Sequence, residues 1–118
     1  MILPVSIKEC AALTLHMSIM RQSFKNIAKS RYKVQKKDLL QSYDYVLQIC
    51  RDALEQNLTH TQIHLNISDV EVLYEFLRSY TTKLEPIIDD LQANENDKEQ
   101  IVILKRLCDE LQILKLTA

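Results

Sequence analysis

The chain has 118 residues, 47% apolar and 26% charged, with a formal net charge of −1 and no glycine. That length suits a single domain, residues 1–118, burying about two thirds of the surface its unfolded form exposes, and the composition indicates neither a disordered nor a membrane-embedded class. The missing glycine excludes Gly-rich phosphate loops and dinucleotide fingerprints, which need a backbone free of Cβ beside phosphate.

The opening MILPVSIKEC lacks the basic start and long apolar core of a secretory signal, and no apolar run reaches about 18 residues. An intracellular, cytoplasmic protein is expected. Cys10, Cys50 and Cys108 lie far apart within apolar patterns, which suits buried thiols in a reducing compartment.

Four apolar stripes at helical spacing follow one another. The first, Cys10, Leu13, Met17, Met20, Phe24 and Ile27, is preceded by Ser6 and Glu9 at capping-box spacing. The second is Leu39, Tyr43, Val46, Cys50 and Ala53, widened by Leu40, Leu47 and Leu54, with Asp38 and Gln41 as its box. The third runs through Val70, Leu73, Leu77, Tyr80, Leu84, Ile87 and Leu91, with Ser68 and Glu71 upstream. It crosses Pro86, which removes a hydrogen bond and crowds the carbonyl of Thr82, so one kinked helix is predicted rather than two. The fourth is Leu104, Leu107, Leu111 and Leu114. The fold class expected is all-α, an antiparallel four-helix bundle with a kinked third helix. Between helices two and three lies a short extended segment, 61–67, in which Ile63, Leu65 and Ile67 alternate with polar residues. With no partner strand in view it reads better as a loop than as a strand.

The stretch LTHTQIHLNISDVEVLYEFL resembles a bacterial helix-turn-helix, with Gln62-Ile63 in its first helix and Asn66-Ile67-Ser68 in its turn. The spacing departs from that pattern: only His64 separates Ile63 from Leu65, and Glu71 and Glu75 would face phosphate. The resemblance therefore implies no DNA-binding helix here. Asn57-Leu58-Thr59 and Asn66-Ile67-Ser68 match the glycosylation acceptor pattern, without the secretory context that would give it meaning.

No catalytic, cofactor or metal signature emerges. His60 and His64 are four residues apart, but outside a helical pattern and without a companion ligand they read as polar loop residues, and His16 reads as a satisfied helix residue. No enzyme and no cofactor is expected, and no membrane is expected as a partner.

Charge is more informative. Residues 1–37 carry eight basic groups against one acid, a net of +7, and residues 38–118 carry seven against fifteen, a net of −8. The basic segment 21–37, with Arg21, Lys25, Lys29, Arg31, Tyr32, Lys33, Lys36 and Lys37, is a candidate partner-binding stretch. It can solvate and cap the first helix, dock on an acidic protein surface such as one containing Asp89 and Asp90, or hold phosphates with Tyr32 stacking on a base.

Helix four has no fully polar side. Ile103, Ile113 and Leu116, with Val72 and Phe76 of helix three, form a predicted interface patch that a second chain would cover, most simply in a homodimer. The expectation is a small protein-interaction module, a regulator or inhibitor of the bacterial or phage kind, that binds a partner protein through this patch and the basic segment. The alternatives are a nucleic-acid-binding helical protein using residues 21–37, and a small helical enzyme whose site is assembled from distant residues.

Overall fold

In the computed structural model the chain forms β1 (Ile2–Ser6), α1 (Ile7–Arg31), α2 (Lys36–Glu55), β2 (His60–His64), α3 (Ile67–Asp90) and α4 (Glu95–Thr117). The structure describes residues 1–31, 36–90 and 95–117, with the side chains at 30, 31, 36, 37, 89 and 90 outside the description. The four helices stand where the four stripes lie. No described helix is long and apolar enough to cross a membrane.

The segment expected to be a loop is a strand. β2 pairs antiparallel with β1, placing Leu3 opposite Ile63 and Val5 opposite Thr61. The Met1 amino group donates to the Leu65 carbonyl (2.9 Å), the Leu65 N–H donates to the Met1 carbonyl (2.8 Å), and the Ile7 N–H donates to the Thr59 carbonyl (3.0 Å). In this register the odd residues of β1 bond across the ladder and the even ones point away from it. Pro4, which has no N–H, therefore occupies an outward position of an edge strand, where it costs no ladder bond. Leu3, Val5, Ile63 and Leu65 are buried together, so the sheet closes one side of the core.

Helix ends follow local chemistry. At the start of α1 the Ser6 N–H donates to Glu9 Oε1 (2.9 Å) and the Glu9 N–H donates to Ser6 Oγ (3.2 Å), the capping box the sequence predicts. At α3 the box is formed by Asn66 and Asp69 rather than Ser68 and Glu71. The Asp69 N–H donates to Asn66 Oδ1 (2.7 Å) and the Asn66 N–H donates to Asp69 Oδ2 (3.1 Å). Asparagine caps as well as serine does, and Asp69 supplies the acid three residues on. α2 begins at Lys36, so Asp38 lies in its first turn instead of capping it. Just past the end of α2 at Glu55, Asn57 takes φ 53°, a left-handed position that glycine usually fills. There the Leu58 N–H donates to the Ala53 carbonyl (3.1 Å) and the Asn57 N–H to the Leu54 carbonyl (3.2 Å).

α3 continues through Pro86 to Asp90, as the unbroken stripe predicts. The burial of that stripe does not continue with it: Val70, Leu73 and Leu77 are buried, Leu84 is half-buried and Ile87 is 52% exposed. Leu91 lies outside the described residues. Ile27, the last member of the first stripe, is likewise exposed.

Packing runs from α1 to α2, α2 to α3, α3 to α4 and α4 back to α1. An up-down order would set the start of α2 beside the end of α3. Instead the starts of α2 and α3 meet, with Ser42 Oγ donating to Asp69 Oδ1 at 2.7 Å in a buried position. The physical cause is β2, which spends the connection as an extended return before α3 begins.

A ladder of rings ties three helices together. Phe24 of α1 stacks on Tyr43 of α2 (4.4 Å between centroids), Phe76 of α3 meets Tyr43 edge-on (5.2 Å), and Tyr80 stacks on Phe76 (5.5 Å). Tyr43 also donates to the Met17 carbonyl across α1 and α2, and burial pushes its phenol well above the ordinary range. The Cys10 and Cys50 thiols meet in the core between the same two helices. Donating its S–H to Cys10 and being buried both push the Cys50 thiol upward, so it stays protonated.

Candidate interaction surface

The basic segment is in part already committed to the fold. Arg21 grips Asp44 of α2 with two hydrogen bonds, Nε and one terminal nitrogen to the two carboxylate oxygens, both at 2.8 Å. The hydrogen bond from Arg21 holds the Asp44 carboxyl below the usual range. The pair is solvated and so adds little to stability, but its geometry holds the guanidinium against α2. Lys25 is half-buried and Lys29 exposed. Arg31, Tyr32, Lys33, Lys36 and Lys37, together with Asp89 and Asp90, have side chains outside the described residues.

Two members of the expected apolar patch belong to the core. Val72 is 7% and Phe76 8% exposed, the latter within the ring ladder. The spacing predicts one buried stripe on α3, as suits a helix with neighbours on one side. α3 packs against α2 and α4, and its Phe76 also meets Phe24 of α1 (6.3 Å), so its buried arc is wider than one stripe. Ile103 is half-buried and packs against the core.

Ile113 and Leu116 are where the sequence places them. They are 55% and 78% exposed, and Val102, which the sequence reading passed over, is 65% exposed. On a helix of 3.6 residues per turn, positions 102, 106, 109, 113 and 116 fall within a narrow arc. That arc lies opposite the buried Leu104, Leu107 and Leu111. α4 thus carries a second stripe at spacings of 4, 3, 4 and 3 residues: Val102, Arg106, Asp109, Ile113 and Leu116. The 3,4 alternation of this outer face was legible in sequence. It went unread because Arg106 and Asp109 interrupt the apolar run.

Ion pairs fix both flanks of that stripe. Arg106 pairs with the buried Glu9 and Lys8 with Glu99 (2.9 Å) on the α1 side. Lys105 pairs with Glu85 of α3 (3.2 Å), and the Lys115 ammonium sits 5.0 Å from the Tyr74 ring centre on the same side. Asp109 and Glu110 are exposed and make no ion pair among the described residues.

His16 is 9% exposed where α1, α3 and α4 meet, with Nδ1 2.8 Å from Tyr80 Oη and Nε2 3.1 Å from Gln100 Oε1. The Gln100 oxygen accepts from Nε2–H, so Nδ1 is left to accept from the Tyr80 hydroxyl, and the neutral imidazole is fully satisfied. Burial lowers the His16 pKa below the ordinary 6.5, against the opposing effect of Gln100. A depressed pKa means the unfolded chain binds the proton more readily than the folded one. The contribution is therefore fully present above pH 6.5 and is lost as pH falls through the folded-state value. Urea titrations between pH 8 and pH 5 should show wild type losing stability faster than His16→Gln below pH 6.5. Parallel curves would show that His16 is not the group responsible.

His60 and His64 lie exposed on one face of β2, with His60 Nδ1 3.3 Å from Thr59 Oγ1. Among the described residues no three His, Cys, Asp or Glu side chains converge as a metal site would require.

No protein-family model, curated protein or solved structure matches this chain.

Proposed function

We propose that this chain is a protein-interaction module, a small cytoplasmic regulator or inhibitor that works by binding rather than by catalysis, and that its contact surface is the outer face of α4. In this reading the four helices form a bundle, bent at Pro86, whose task is to hold α4 with one stripe buried and the other presented. The observation that carries it is the exposure of Val102, Ile113 and Leu116 along one arc opposite the core. Large apolar side chains aligned on a rigid helix cost solubility unless a partner covers them, and helix-face docking reads such anchors directly. The flanking ion pairs supply a polar rim. Lys25 and Lys29 supply positive charge that speeds the encounter with an acidic partner.

Affinity capture from host extract tests this. Protein retained by the wild-type chain, a second copy of itself included, should be lost with Ile113→Glu/Leu116→Glu while the melting temperature holds. An unchanged protein profile, or retention of nucleic acid in its place, would overturn the reading.

A further inference from the structure

We infer that the occupant of this face is a second copy of the same chain, its α4 packed antiparallel to the first about a two-fold axis passing between Arg106 and Asp109. This rests on the outer face of α4 being a contact surface, and it adds the partner and the register.

The argument lies in the order of side chains along the stripe. Read forward, the first four positions of the outer face run apolar, basic, acidic, apolar: Val102, Arg106, Asp109, Ile113, with Leu116 beyond them. Turned end for end on itself, this order is its own complement. With the axis midway between residues 107 and 108, Val102 lies against Ile113 of the second copy and Arg106 against its Asp109. Each contact occurs twice, as an isologous interface requires. The 3,4 spacing is that of two helices packing along a shared seam. A parallel arrangement would set Arg106 on Arg106 and Asp109 on Asp109, so charge selects the antiparallel one.

The fold prepares these charges unequally. Arg106 and Lys105 are each anchored from one side, by Glu9 and Glu85, which holds them at the edges of the seam. A guanidinium has five N–H donors, so pairing with Glu9 leaves donors for a second carboxylate. Asp109, the group those donors would meet, is exposed and makes no ion pair among the described residues. Changing it disturbs no observed pair.

Sedimentation equilibrium of the purified full chain tests the occupant, and cross-linking tests the register. Wild type should pass from monomer to dimer with rising concentration. Asp109→Lys should raise the dissociation constant about tenfold or more, by setting like charges together, with an unchanged circular-dichroism spectrum. In a Cys108→Ala background, an equimolar mixture of Val102→Cys and Ile113→Cys chains should oxidise to the mixed disulfide dimer, and neither variant alone should cross-link. A wild-type monomer at every concentration overturns the second-copy inference. If capture by wild type still depends on Ile113 and Leu116, the contact-surface reading then stands with a different partner; if it does not, both fall. Cross-linking of Val102→Cys chains to each other overturns the antiparallel register.

Discussion

Leu77→Ala should destabilise the protein by about 2 to 5 kcal/mol, measured by urea unfolding, because the side chain is fully enclosed and its removal leaves a cavity as well as losing burial. Leu77 sits near the middle of α3, the helix that packs on both α2 and α4, so few neighbours are free to collapse into the space. Ile87→Ala provides the internal comparison. It lies on the same sequence stripe, past Pro86, but is half exposed, and its loss should cost about 1 kcal/mol or less. Equal effects at the two positions would mean that the whole stripe, not its first part, forms the core.

The contrast between those two residues shows what periodicity can carry. A 3,4 spacing identifies which side of a helix is apolar, and all four helices were legible that way. It does not say how far the neighbouring elements extend, and so Ile27 and Ile87 were placed in the core although the structure leaves both exposed. It also does not say how many neighbours a helix has. Phe76 and Val72 fall just outside the third stripe, yet both are buried in a helix with neighbours on more than one side. The same limitation hid Val102: a stripe broken by Arg106 and Asp109 looks like an ordinary solvated face until the three-dimensional structure shows its apolar members standing clear of the core. The buried union of His16, Tyr80 and Gln100 depends on residues 64 and 84 positions apart in the chain, and no local spacing encodes it. Of the basic segment, Arg21 pairs through a carboxylate 23 positions away, equally invisible in a charge count.

The sheet was missed for a different reason, and Leu3→Ala measures how much the omission matters. The alternation in THTQIHLNIS was recognised, but ILPVS was read only as the start of a chain, because five residues containing a proline are weak evidence for a strand. Pairing resolves both at once. Leu3 is 1% exposed, lies opposite Ile63 at 0%, and joins Val5 and Leu65 in the same cluster as the helical core. Its truncation should therefore cost about 2 to 5 kcal/mol, as much as a central helix residue, where total stability is on the order of 5 to 15 kcal/mol. Ile2→Ala, next in sequence but 44% exposed on the opposite face, should change stability by about 1 kcal/mol or less. The damage should also spread along the ladder. Amide exchange at Leu65 and Ile7, whose N–H groups bond to Met1 and Thr59, should accelerate in Leu3→Ala well before that of α4. Loss of protection at α4 to the same degree would mean that the sheet and the helices open as one unit. A Leu3→Ala variant as stable as wild type would show that β1 merely lies against the domain.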